Sequence, residues 1–183
     1  MGEAIIRLVS GKLVDVFHIQ PGDVTIEDIA HALSYLNRFG GHTPYPYSVA
    51  QHSVFVAYLA VRIYGDRPNI VFKVLMHDIQ EGVGCVDIPS PIKVHCPDYQ
   101  RVELTVESQL REQFQCVVVD AEEQDALHYC DKLACELEQA VIRGQEPTDR
   151  SLPFLGIAAV FLRRMRPEEA KAGFLEWYRG WRP

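Results

Sequence analysis

The apolar run Ile70-Val71-Phe72-Lys73-Val74-Leu75-Met76 ends in two adjacent polar residues, His77 and Asp78. The run reads as a buried helix. Val74 and Ile70 lie three and seven residues before His77, so the imidazole points the way the core-facing residues point. Asp78 shares a face with Val71, Val74 and Leu75. Glu81 follows on the same side, before Gly82 and Gly84 are expected to end the helix. A buried carboxylate beside a buried imidazole is costly unless something pairs with both. A divalent cation would do so. The plainer alternative is a core histidine beside a helix-terminal aspartate, and the surrounding sequence has to decide.

With 183 residues the chain is long enough for one domain with a proper core. Its 48% hydrophobic and 23% charged residues are those of a globular protein. Apolar stretches are too short to cross a bilayer, and the N-terminus lacks the pattern of a secretory signal. The five cysteines form no Cys-x-x-Cys pair and read as reduced thiols, so a cytoplasmic protein is expected. A net charge of −7 without a basic stripe argues against a nucleic-acid partner. It leaves room for a small anionic substrate held by a few local basic groups.

Along the chain, Ile5–Val9 and Lys12–Val16 around Ser10-Gly11 predict a short β-hairpin. Thr25 and Asp28 have capping-box spacing for a helix through about Arg38. Gly40 and Gly41 stop it, and a kinked connector, 42–47, follows. Ser48 and Gln51 cap a second helix to about Tyr64, whose inner stripe of Val49, Val56 and Ile63 includes His52. Pro68 opens the helix that ends in His77-Asp78. Residues 87–93 predict a rigid two-proline loop. Further helices are predicted over 98–114, from Asp120 or Glu123 to Arg143, over 157–165, and from Pro167 onward. The fold class is therefore an all-α bundle with a short N-terminal hairpin. On the helix ending at Arg143, Leu127, Asp131, Ala134 and Glu138 share one side. The last helix carries Phe174, Trp177 and Trp181 as an aromatic stripe suited to core packing or a homo-oligomer contact.

Three helices thus each offer an inward ligand: His52, then His77 with Asp78, then Asp131. Histidine nitrogens with carboxylate oxygens and no thiolate suit Zn²⁺, Mn²⁺, Co²⁺ or Fe²⁺. Four protein ligands leave positions for water and a substrate oxygen. His128 lies one turn before Asp131 on nearly the same face, and spacing does not choose between them.

The order His52 … His77-Asp78 … Asp131 resembles the HD superfamily of metal-dependent phosphohydrolases. Four further blocks look like its small phage and bacterial nucleotidohydrolases: residues 26–33, 38–43, 47–53 and 87–93. These relatives include 5′-deoxynucleotidases and phage-type dATP triphosphohydrolases. The resemblance implies an HD-domain helical bundle with His52, His77, Asp78 and Asp131 around a divalent ion (Zn, Mn or Co, with Mg as a possible second ion), and it favours Asp131 over His128. It implies Glu81 and Asp87 as the water-handling acids, Arg38 and Lys93 as phosphate-binding residues, and Phe39 as the aromatic near the base or sugar. The expected activity is hydrolysis of deoxynucleotides, as a triphosphohydrolase of the dATP type or a 5′-nucleotidase. The Glu81–Asp87 segment is a little longer than in the deoxynucleotidases, which would displace Asp87. Other HD activities fit less well: Ile79-Gln80-Glu81-Gly82 lacks the acidic pair of guanosine-tetraphosphate hydrolases, and the Gly-Tyr-Pro tripeptide of cyclic-dinucleotide phosphodiesterases is missing. A nucleotide- or metal-binding sensor without turnover is the non-enzymatic rival.

Overall fold

The computed structural model describes residues 4–183, which form a mostly helical bundle preceded by a two-stranded antiparallel hairpin. Strands β1 (Ile5–Arg7) and β2 (Leu13–Asp15) pair Ile5 with Asp15, Ile6 with Val14 and Arg7 with Leu13. Both are shorter than the alternation predicts, because residues 8–12 form the turn, with Leu8 N–H donating to the Lys12 carbonyl.

Helices α1 (Ile26–Tyr35), α2 (Val49–Tyr64), α3 (Pro68–Leu75), α4 (Ser90–Lys93), α5 (Pro97–Gln113), α6 (Ala121–Arg143), α7 (Leu155–Phe161) and α8 (Pro167–Trp181) follow in order. Local sequence sets several of their starts. Thr25 and Asp28 exchange side-chain and backbone hydrogen bonds at the head of α1, as do Ser48 and Gln51 at the head of α2. Asp28 also accepts from the Ser10 amide at 2.9 Å and so fastens the hairpin turn to α1. The Asp120 carboxylate caps α6 on the Glu123 amide. Among the described residues, no helix is long and apolar enough to cross a membrane.

Helix α2 lies at the centre and touches α1, α3, α6 and α8. Phe55, Val56 and Leu59 on α2, Phe72 and Leu75 on α3, Leu133 and Leu137 on α6 and Phe174 on α8 form the core. The aromatic stripe of α8 faces this core. Phe174 and Tyr178 are buried, Tyr178 packs on Phe72 and Phe114, and Trp177 meets Tyr58.

Four boundaries differ from the sequence expectation, each for a tertiary reason. Helix α1 stops at Tyr35 rather than Arg38, because the chain leaves the helix to pair with residues 47–49. The Arg38 amide donates to the Tyr47 carbonyl and the Val49 amide to Leu36. Helix α3 stops at Leu75, so His77 and Asp78 are not on the helix that precedes them. From there the backbone tightens into i→i−3 turns, with Ile79–Val83 as a 3₁₀ segment that runs through Gly82 and ends at Gly84. The expected loop over 87–93 contains the short helix α4. Helix α7 begins earlier than Ile157 and ends before Met165. Its end is drawn out by side chains, since the Leu162 and Arg163 carbonyls accept from Tyr45 Oη and Gln51 Nε2.

The 3₁₀ segment crosses α1 closely. A Cβ on Gly82 would sit 2.9 Å from Ile29 Cδ1 and 3.0 Å from Ile29 Cα, too near for either to yield. Gly82→Ala is expected to destabilise the fold by about 1–3 kcal/mol through overpacking. Urea or thermal unfolding would read this, and unchanged stability would mean that the crossing is looser than described.

Candidate metal centre

His52, from the first turn of α2, is fully buried; His77 and Asp78 sit at the tightened turn after α3, and Asp131 projects from α6. Their ligand atoms converge. His52 Nε2 and His77 Nε2 are 3.1 Å apart, His52 Nε2 is 3.1 Å from Asp131 Oδ1, and His77 Nε2 is 3.1 Å from Asp78 Oδ2. The crossed distances, His52 to Asp78 and His77 to Asp131, are 3.8 and 3.7 Å. Metal–ligand bonds of about 2.0–2.1 Å place neighbouring ligands roughly 2.9–3.4 Å apart in octahedral or tetrahedral geometry. The cluster already has close to that spacing.

Hydrogen bonding fixes which nitrogens face inward. His77 Nδ1 donates to the Val74 carbonyl at 2.8 Å, and His52 Nδ1 donates to Glu138 Oε1 at 2.6 Å. Both partners accept only, so each Nδ1 carries a hydrogen and each ring turns its Nε2 towards the other. Two lone pairs at 3.1 Å repel unless a cation lies between them. A proton can play that part, and it is held tightly. With no metal considered, the surrounding carboxylates Glu138 and Asp131 raise His52 to about 9 against burial and the opposing Arg38 charge. A divalent ion in the proton's place would lie within reach of His52, His77 and Asp78, whose ligand atoms are all within 4.8 Å of one another.

The structure separates the rivals on α6. Asp131 reaches the cluster, whereas His128 is exposed, with Nε2 2.7 Å from the side-chain nitrogen of Gln124. It also shows a residue that the sequence reading did not single out. Glu138 is completely buried and gathers three donors: His52 Nδ1 at 2.6 Å, Tyr47 Oη at 2.8 Å and Arg38 Nε at 3.2 Å. Such a carboxylate orients a ligating histidine and raises its basicity. A signal was present, because Glu138 lies seven residues after Asp131 on the same apolar stripe.

The remaining candidates lie around this centre. Arg38 bonds Glu138 through Nε and holds Nη1 3.8 Å from Asp78 Oδ2, so most of its N–H donors stay available. Burial, then the nearby charges of Asp78 and Asp87, raise the Glu81 carboxyl to about 10, and its Oε2 has no protein partner. Asp87 is half-buried and also raised, first by burial, with Arg38, Asp78 and His52 among its charged neighbours. Lys93 donates to Glu103 at 2.8 Å, so the cation expected to be free for phosphate is paired.

One cavity borders the cluster and a second lies beyond Arg38. The larger, about 640 Å³, reaches His77, Asp78 and Asp131 and is walled by Gln80, Lys93 and α5. The other, about 430 Å³, is lined by Arg38, Phe39, Asp87, Pro89 and the α6 residues Gln139 and Arg143. Phe39 enters it from a left-handed backbone (φ 57°, ψ 27°), a conformation costly for a bulky residue and found where surroundings enforce it.

Titration calorimetry with Mn²⁺ or Zn²⁺ is expected to show metal binding lost in Asp131→Ala and retained in His128→Ala. Glu138→Gln should weaken it by about 10–100-fold. Binding must displace the His52 proton, so apparent affinity should rise about tenfold per pH unit from pH 6 to 8 and fall with acid. A flat pH response would mean that His52 is not a ligand.

No protein-family model matches the chain. It is similar to the uncharacterized protein YfdR of Escherichia coli, at 39% identity over 111 residues, covering 61% of this chain and 58% of YfdR. An uncharacterized protein of Rhodobacter capsulatus is 39% identical over 92 residues, covering 48% of this chain and 45% of that protein. The chain spans about half the length of these relatives.

Proposed function

We propose that this chain is a metal-dependent phosphohydrolase of the HD superfamily that acts on deoxynucleotides. The observation that carries the reading is the pair of Nε2 atoms 3.1 Å apart, flanked by two carboxylates, with the Arg38 guanidinium 3.8 Å from one of them. A binding-only centre has no need of a phosphate-sized cation and a protonated acid at its edge. The order of the ligands along the chain and the resemblance of the flanking blocks point the same way.

A divalent ion at this centre would supply Lewis acidity and a water of lowered pKa, towards ~7. The chain's own groups do the rest. Arg38 holds the phosphoryl oxygens with the N–H groups that Glu138 does not use and offsets charge that builds on them. Asp87, beside Arg38, accepts a hydrogen bond from the attacking water and aims it. Water adds to phosphorus as the phosphorus–oxygen ester bond breaks. Glu81, protonated at neutral pH, gives its proton to the departing sugar oxygen. The products are phosphate and the nucleoside.

Charge pairing favours a single phosphate over a triphosphate. Lys93 is tied to Glu103 at 2.8 Å and Arg111 to Glu107 at 2.6 Å, so the two basic groups of the larger cavity are already neutralised. Arg38 is also paired, with Glu138 through Nε, but its Nη groups keep N–H donors for one phosphoryl group, which makes a 5′-nucleotidase the better-supported form.

Phosphate release from a panel of dNMPs and dNTPs with Mn²⁺, Co²⁺, Zn²⁺ or Mg²⁺ tests this. Orthophosphate and nucleoside from dNMPs are expected, abolished by chelation and by Asp78→Ala. Tripolyphosphate from a dNTP would keep the superfamily assignment and correct the substrate. No release with any metal would overturn the enzyme reading in favour of a sensor.

Glu81 also yields a stability prediction. The folded metal-free chain holds this proton far more tightly than the unfolded chain, whose glutamate titrates near 4.5. Stability should therefore decline as pH rises from about 4.5 towards about 10. Glu81→Gln removes that slope and should raise the Tm of the metal-free protein at pH 8 by roughly 5 °C. Calorimetry at pH 5 and pH 8 measures both effects, and a variant less stable at pH 8 would contradict a protonated Glu81.

A further inference from the structure

Helix α6 carries Asp131, Cys135, Gln139 and Arg143 at four-residue intervals, hence along one slanted ridge that winds about 120° round the helix. The row starts at the metal centre and runs roughly 18 Å along the helix axis to Arg143. Its last three members line the smaller cavity with Phe39. A nucleotide with its phosphate at Arg38 extends its base along this row towards Gln139 and Arg143.

What that end offers is one-sided. Arg143 Nη1 donates to Gln139 Oε1 at 2.9 Å. A guanidinium has no acceptor, so chemistry fixes the amide orientation: Oε1 faces the arginine and Nε2 faces away. Apart from the second lone pair of Oε1, which stays on the arginine side, the free hydrogen-bonding groups of the pair are N–H donors. Phe39 completes the site as a stacking surface, with the Arg143 and Arg38 guanidinium carbons 5.2 and 5.4 Å from its ring centre. Among the described residues, the one carboxylate on this cavity's wall is Asp87, and it lies at the phosphate end, with Arg38, Asp78 and His52 as charged neighbours.

We propose that Gln139 and Arg143 select keto bases, guanine and thymine or uracil, over the amino bases adenine and cytosine. Guanine presents O6 and N7, and thymine O4, as acceptors to these donors. The exocyclic amines of adenine and cytosine would meet N–H groups and lose their hydrogen bonds to water without replacement. The inference rests on the nucleotide reading above. It departs from the adenine preference that a likeness to phage dATP triphosphohydrolases implies.

The test is equilibrium binding of dGMP, dTMP, dAMP and dCMP to the Glu81→Gln protein with Mn²⁺, by titration calorimetry, beside wild-type kcat/KM for the same four. The keto pair should bind at least about tenfold more tightly than the amino pair. Adding Arg143→Met, at an exposed position where the fold tolerates it, should bring all four within about threefold while leaving inorganic phosphate binding unchanged. Equal affinities, an adenine preference, or a ranking indifferent to Arg143→Met would overturn the proposal. So would a uniform loss across all four bases, which would make Arg143 a general anion holder. The keto ranking without phosphate release would support the selectivity and sink the hydrolase reading. Equal hydrolysis of all four would do the reverse, and failure of any nucleotide to bind would remove both.

Discussion

Two imidazoles held with their Nε2 atoms 3.1 Å apart are the constraint around which this structure is arranged. Each ring is fixed from behind, one by a backbone carbonyl at the end of α3 and the other by a buried glutamate on α6. Neither ring can turn away without abandoning a buried hydrogen bond, which is expensive in a low-dielectric interior. The close approach of the two Nε2 atoms is thus built into the fold, and a proton or a metal ion is what fits between them. Positioning of this kind needs rigid supports, which the packing of α2 against α3 and α6 provides.

Glu138 extends the constraint outward. One carboxylate, fully buried, accepts from the metal-facing His52, from Tyr47 and from Arg38. Arg38 reaches that position because α1 ends early and the chain pairs with residues 47–49 before α2 begins. A boundary that looks like a detail of secondary structure therefore places the guanidinium proposed to hold phosphate. The same departure puts Phe39 into its left-handed conformation and turns its ring into the smaller cavity.

Much of this was legible in the sequence where local physics governs. The capping pairs Thr25–Asp28 and Ser48–Gln51 and the proline at the head of α3 each mark a helix start within a residue or so. The apolar stripe of α2 predicts an inward His52, and that is where it lies. Hydrophobic spacing was less informative around His77 and Asp78. It counts them as a continuation of α3, whereas the His77 side chain takes the Val74 carbonyl and the backbone tightens to i→i−3 turns. Asp131 and His128 could not be separated by spacing, since both share a side of α6 and only the rings of His52 on α2 and His77 beyond α3 decide. Glu138 was visible as a charge on an apolar stripe, but its three partners come from segments far away in sequence. Lys93 was expected to be free because its partner, Glu103, lies on the next helix.

X-ray absorption spectroscopy of the purified protein loaded with one equivalent of Zn²⁺ tests the central claim most directly. The account predicts one tightly held ion per chain with a shell of nitrogen and oxygen only, two imidazoles among its ligands, and loss of the imidazole signature in His52→Ala and His77→Ala. A sulfur-containing shell, or an ion indifferent to both substitutions, would show that the facing imidazoles are not a metal centre.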